Sequence, residues 1–189
     1  MSMTTTTKHD LISVITEDHR AFERIFKELE SGKGGDAHRK DLADHLIAEL
    51  VRHSIAEEQH MYPAARRHLP DGDEVADHEI EEHSKAERIM KDLEGLEPKD
   101  NRFDELVGKL IEDVRHHIEE EEGDLLPKLQ GACSAEELRD LGEKILRAKK
   151  IAPTRPHPAA PDRPPANRIL APGTAFIDKI RDALEDRNT

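Results

Sequence analysis

The chain has 189 residues, enough for one domain plus a tail. Charged residues make up 38% and the formal net charge is −13, with no Trp, one Tyr and four Phe. This disfavours nucleic acid or an anionic membrane surface as a partner, since both are negative and base stacking has little aromatic surface to use. No apolar run approaches the roughly 18 residues of a membrane span, and the opening MSMTTTTKHD lacks the apolar segment of a secretory signal. The single cysteine, Cys133, leaves no intramolecular disulfide, and a reducing cytoplasm is the simplest setting.

In chain order, helical periodicity runs to about residue 150, with breaks at SGKGGD (31–36), LPDGD (69–73), GLEPKD (95–100) and QGACS (130–134). The breaks delimit long helices at roughly 8–30, 37–68, 73–94 and 101–129. A shorter fifth helix starts at Ser134, where Ser134 and Glu137 can form a capping box. The expected fold is therefore all-α: an up-down-up-down four-helix bundle over residues 8–150, including the short fifth helix. Residues 151–189 form the tail. Seven of the eleven prolines fall in 152–172, which reads as an extended linker, and a short amphipathic helix follows with Phe176, Ile177, Ile180 and Leu184 on one side. That helix can dock on the bundle or meet a protein partner.

EDHRAFERIFKELE (17–30) aligns with EEHSKAERIMKDLE (81–94), with identities that include His19/His83, Glu23/Glu87, Arg24/Arg88 and Leu29/Leu93. The same offset of 64, carried forward without a gap, lays HSIAEEQHMYP (53–63) over HIEEEEGDLLP (117–127). It pairs His53 with His117, Glu57 with Glu121, Glu58 with Glu122 and Pro63 with Pro127. Within VRHHIEEEEGDLLP the repeat thus selects His117 over His116, and Glu121 and Glu122 over Glu119 and Glu120. At about 100° per residue, a side chain four positions after a histidine returns nearly to its face and one five positions on does not. That removes Glu122 and keeps Glu121. On the second helix Leu42, Leu46, Leu50 and Met61 share a face with His53 and Glu57; on the fourth, Leu106, Leu110, Val114 and Leu125 share one with His117 and Glu121.

Thirty-four residues separate His19 from His53, and thirty-four separate His83 from His117, with both midpoints at the ends of predicted loops. Each helical hairpin therefore brings its two histidines to one height, and packing the hairpins together gathers four histidines and two glutamates in one layer. Any one of these histidines alone reads more readily as an ordinary core residue. Two glutamates buried without a counter-charge are another matter: each costs several kcal/mol, and no lysine or arginine shares these faces near that level. A metal cage is the expected resolution. Mixed imidazole and carboxylate ligands in this number exceed what one tetrahedral zinc uses and suit two octahedral-leaning ions bridged by carboxylates. Glu79, four residues before His83 and central on its helix's apolar face, is a further candidate ligand. Glu23 and Glu87 sit at stripe edges, His78 lies off the stripe, and His60 faces inward where Asp124 does in the other half.

His19, then His53 and Glu57 followed by Pro63, then His83, then His117 and Glu121 followed by Pro127, resembles the HHE (hemerythrin-like) cation-binding family over residues 8–130. The resemblance implies a non-haem di-iron centre within the bundle, with Glu57 and Glu121 bridging the irons and the histidines completing their shells. It implies dioxygen, hydrogen peroxide or nitric oxide as the small ligand, with catalase-like turnover or a non-catalytic iron- or oxygen-responsive module as the functional readings. Hemerythrins proper carry five histidines, with His-x-x-x-His on the third helix; here the first of these is Glu79. An anionic oxygen in place of a neutral nitrogen favours the ferric state, which counts against reversible oxygen carriage.

Overall fold

The computed structural model describes residues 9–159 together with Thr174 and Asp178. Helix α1 (Leu11–Glu30) begins at Asp10, whose carboxylate accepts the Ser13 backbone N–H. The second bundle rod is α2 (Asp36–Ala56), a π-turn (Glu57–Met61) and α3 (Tyr62–His68). The third is α4 (Gly72–Glu94), and the fourth is α5 (Asn101–Glu120), a second π-turn (Glu121–Leu125) and α6 (Leu126–Ala132). Helix α7 (Ala135–Ile151) opens with the expected capping box between Ser134 and Glu137. Among the described residues there is no strand.

Short connections make successive rods antiparallel, and α1 packs on α2 and α5 while α4 packs on α2 and α5, which closes an up-down-up-down ring. Helix α7 lies outside it against α1 and α2. The apolar core is divided into two clusters. One holds Ile15, Met61, Ile80, Leu125 and Ile145; the other holds Phe22, Leu50, Met90, Phe103 and Val114. On every rod the break between clusters falls where the histidines lie.

The two π-turns were not expected from a uniform helical period. Each precedes a proline, Pro63 or Pro127, that lacks the N–H for an ordinary helical bond and whose ring would crowd the carbonyl four residues back. Widening the turn by one residue relieves this: the Tyr62 N–H donates to the Glu57 carbonyl and the Leu126 N–H to the Glu121 carbonyl, five residues back in each case. The 64-residue repeat is thus also a repeat of backbone geometry.

The described part of the stretch read as linker is non-helical, but Ala152, Thr154 and Arg155 are buried. The His157 N–H donates to Glu87 on α4, and Arg155 pairs with Glu94. Buried Asp178 accepts the backbone N–H groups of Thr154 and Arg155 at 3.1 Å. This segment is therefore held on the bundle by charge-assisted bonds that composition does not reveal. The expected face of Phe176, Ile177, Ile180 and Leu184 lies outside the described residues. No helix among the described residues is long and apolar enough to cross a membrane.

The hairpin from α3 to α4 depends on a close backbone approach. A Cβ on Gly72 would collide with the Ala65 carbonyl and the Arg66 Cα. Gly72→Ala is expected to destabilise the protein by about 2–3 kcal/mol, since backbone rather than a movable side chain must yield. Thermal melting should show this as a drop of roughly 5–10 °C; an unchanged midpoint would refute the close packing.

Candidate metal centre

The layer between the two core clusters contains His19 from α1, His53 and Glu57 from the second rod, Glu79 and His83 from α4, and His117 and Glu121 from the fourth rod, all of them buried. All seven residues expected from the sequence meet there. Their donor atoms form three overlapping groups, each within 4.8 Å: His19, His53, Glu57 and Glu121; Glu57, His83 and His117; and Glu79, His117 and Glu121. Glu57 directs Oε1 to His53 Nε2 at 3.0 Å and Oε2 to His83 Nε2 at 3.4 Å. Glu121 directs Oε2 to His19 Nε2 at 3.3 Å and Oε1 to His117 Nε2 at 3.5 Å. Each carboxylate thus offers one oxygen to each histidine pair.

His19 Nε2, Glu57 Oε1 and Glu121 Oε2 are buried without a hydrogen-bond partner among the described residues. With the rings neutral, lone pairs converge in a dry interior at a cost that a cation removes. The donor set fits metal cations.

The outer ring nitrogens are also supported. His19 Nδ1 lies 2.9 Å from Glu122, His53 Nδ1 3.0 Å from Asp18, and His83 Nδ1 3.0 Å from Glu58. A carboxylate only accepts, so in the neutral ring the proton sits on Nδ1 and the Nε2 lone pair faces inward.

Residues 10–129 match the family described as Hemerythrin HHE cation binding domain. The chain belongs to this hemerythrin-like family. It is 30% identical over 172 residues to a hemerythrin-like protein of Schizosaccharomyces pombe, covering 90% of this chain and 84% of the relative. It is 25% identical over 137 residues to a protein of Nostoc sp. (strain PCC 7120) named DNA nickase, covering 72% of this chain but 38% of that one. No solved structure gives a significant match.

The hemerythrin-like cage corrects the reading of two positions, Glu122 and Asp124. Glu122, expected in solvent, bonds His19 and is itself gripped by Arg20 at 2.9 and 2.7 Å. Helical phase placed it off the core face, but that direction is the seam with α1. Glu58 and His83 form the same pair in the other half of the repeat. Asp124, expected to face inward, is exposed and paired with Lys128, because the π-turn rotates it away; His60 is half-buried.

Tyr62 was not among the expected site residues, yet it is fully buried with its hydroxyl in the cage. A regular helix would put it about 140° round from Glu57, whereas the π-turn brings it back beneath. The available signal was the chain's only tyrosine, placed just before Pro63 where the repeat has Leu126.

At Glu79 the halves diverge. The repeat partner of Asp18 is Glu82, but Glu82 bonds Lys85. Glu79 Oε2 instead lies 2.8 Å from His117 Nδ1, though neither atom has an aligned hydrogen bond. Glu79 thus adjoins the outer nitrogen of His117 while remaining within reach of Glu121. Burial pushes its carboxyl up, with His117 opposing.

Outside the family match, Lys149 of α7 grips both oxygens of Asp18 at 2.6 and 2.7 Å. Burial would raise the Asp18 carboxyl, but His53 and Lys149 together hold it below its usual range. The fifth helix is therefore connected to His53 through one carboxylate.

Among the protein's own groups, burial opposes charge on His53 and His83. The carboxylates prevail and lift both to about 10, Glu57 and Asp18 acting on His53, and Glu57 and Glu58 on His83. Burial likewise opposes charge on Glu57, yet His53 and His83 hold it well below 4.5. The stabilisation from the raised histidines is complete below their ordinary value of 6.5 and is lost as pH rises through about 10. That from Glu57 is present above 4.5 and lost in acid as its depressed folded-state value is passed. Metal-free protein should therefore lose urea resistance between pH 6.5 and 10. Metal uptake should strengthen over the same range, because the ion displaces those protons. A flat pH profile for both would contradict this charge arrangement.

Proposed function

We propose that the chain is a carboxylate-bridged di-iron protein that binds and reacts with hydrogen peroxide or dioxygen. The supporting observation is the division of oxygens at Glu57 and Glu121, one to each histidine pair, which suits two ions and is superfluous for one. The hard carboxylate and imidazole donors fit iron. Bound iron would supply electron transfer to and from the small oxidant.

The chain's own residues would hold, shield and select. His19, His53, His83 and His117 present Nε2, while Glu122, Asp18 and Glu58 fix the rings of His19, His53 and His83. The flanking apolar clusters keep bulk water out. A cavity of about 20 Å³, lined in part by Phe22, Met90 and Val114, adjoins His53, His83 and His117 and suits a molecule of two or three heavy atoms. Glu82 and Asp113 on its wall would favour neutral ligands over anions. DNA cleavage is not carried over from the cyanobacterial relative, given the partial coverage and a net charge of −13.

The deciding experiment is iron analysis followed by oxygen evolution from peroxide, comparing wild type with His117→Ala. Turnover by wild type that the variant lacks supports the reading; iron-loaded wild type without turnover rejects peroxide as substrate.

The link from Lys149 through Asp18 to His53 favours a second reading, an iron- or oxygen-responsive module whose fifth helix reports occupancy to a protein partner. Metal should then slow hydrogen exchange in α7, and unchanged exchange would count against it.

A further inference from the structure

We infer that the Tyr62 hydroxyl oxygen is a metal ligand on the His83–His117 side of the cage, so that the two ion positions are chemically unequal. This rests on the di-metal reading above. The hydroxyl lies 3.0 Å from His83 Nε2, 3.0 Å from Glu121 Oε1 and 3.5 Å from Glu57 Oε2. With the His83 ring neutral, the hydroxyl carries a single proton, which can serve one of these three acceptors at a time. The remaining lone pairs then face one another in a fully buried site, an arrangement that calls for a cation at its centre.

The spacing agrees. For a metal–donor distance of about 2.1 Å, neighbouring vertices of an octahedron are about 3.0 Å apart. His83 Nε2 and His117 Nε2 are 3.1 Å apart, His83 Nε2 and Glu57 Oε2 3.4 Å, and His117 Nε2 and Glu121 Oε1 3.5 Å. The Tyr62 oxygen, 3.0 Å from His83 Nε2 and 3.0 Å from Glu121 Oε1, falls in the same range of spacings. The His19–His53 side has His19, His53, Glu57 and Glu121 as its grouped donors, and the repeat places Leu126 where Tyr62 stands. One position would thus carry a phenolate and the other would not. On binding a ferric ion the Tyr62 O–H bond breaks, the oxygen keeps the electron pair and bonds the metal, and the proton passes to solvent.

Because the chain has one tyrosine and no tryptophan, any tyrosinate signature must come from Tyr62. The test is the visible spectrum and resonance Raman scattering of the full-length ferric protein, with iron per chain measured on the same sample. Two irons per chain with a phenolate-to-iron band that enhances tyrosinate ring modes is the expected result. Tyr62→Phe should lose the whole band while keeping both ions. Two irons without tyrosinate modes, or a band that persists in Tyr62→Phe, overturns ligation by Tyr62 and leaves the di-iron reading standing. Fewer than about one iron per chain overturns both. The wild-type Raman result decides even if the variant fails to fold.

Discussion

On the di-iron reading proposed above, Glu57→Ala is expected to reduce iron from two per chain to fewer than one. The residue faces both histidine pairs, with Oε1 at 3.0 Å from His53 and Oε2 at 3.4 Å from His83, and it is wholly buried. Alanine therefore removes a donor from each position at once and leaves the four histidines with one shared carboxylate, Glu121. His116→Ala is the matched control. His116 adjoins His117 in sequence, but its side chain is 62% exposed and pairs with Glu120 on the surface. That variant should retain both irons. Metal analysis after gel filtration, with circular dichroism to confirm helicity, gives the comparison. Full iron content in Glu57→Ala would show that the carboxylate does not bridge.

Removing metal is expected to lower the thermal midpoint by roughly 5–10 °C. The cage is assembled only when all four rods are packed, so an ion binds the folded chain in preference to the unfolded one. At a free metal concentration about a hundredfold above Kd this contributes about 2.7 kcal/mol, and each kcal/mol shifts the midpoint by about 2–4 °C in a chain of this size. The layer also separates two apolar clusters, so without a cation its converging lone pairs weaken the middle of the bundle rather than an end. Scanning calorimetry before and after chelation measures the shift. A midpoint indifferent to chelator and to added metal would mean that the cage does not hold an ion tightly. In Glu57→Ala the same shift should shrink, which ties the two results to one site.

How far the site was legible depended on which contacts are local. His19, His53, Glu57, His83, His117 and Glu121 emerge from an uninterrupted 64-residue offset and from helical period, both one-dimensional signals. Their shared height follows from the equal 34-residue spacing about each loop. Glu58 and Glu122 carried the same repeat signal, but their partners lie across the bundle on α4 and α1, at seams that one helix's own period does not describe. Glu79 was legible as a candidate because it sits centrally on an apolar face; its position against His117 Nδ1 depends on how α4 and α5 pack.

The sequence by itself determined the helical class, the four-rod order, the level of the polar layer and six of its donors, because repeat, period and loop spacing act along the chain. Tertiary structure decided the rest. It set which oxygen of Glu57 and of Glu121 meets which histidine, placed Tyr62 in the cage through a π-turn, connected α7 to His53 through Asp18, and held the segment after Ile151 on α4. Each of these is a contact between groups distant in sequence, or a one-residue change in helical winding that swings every following side chain, and neither leaves a periodic trace.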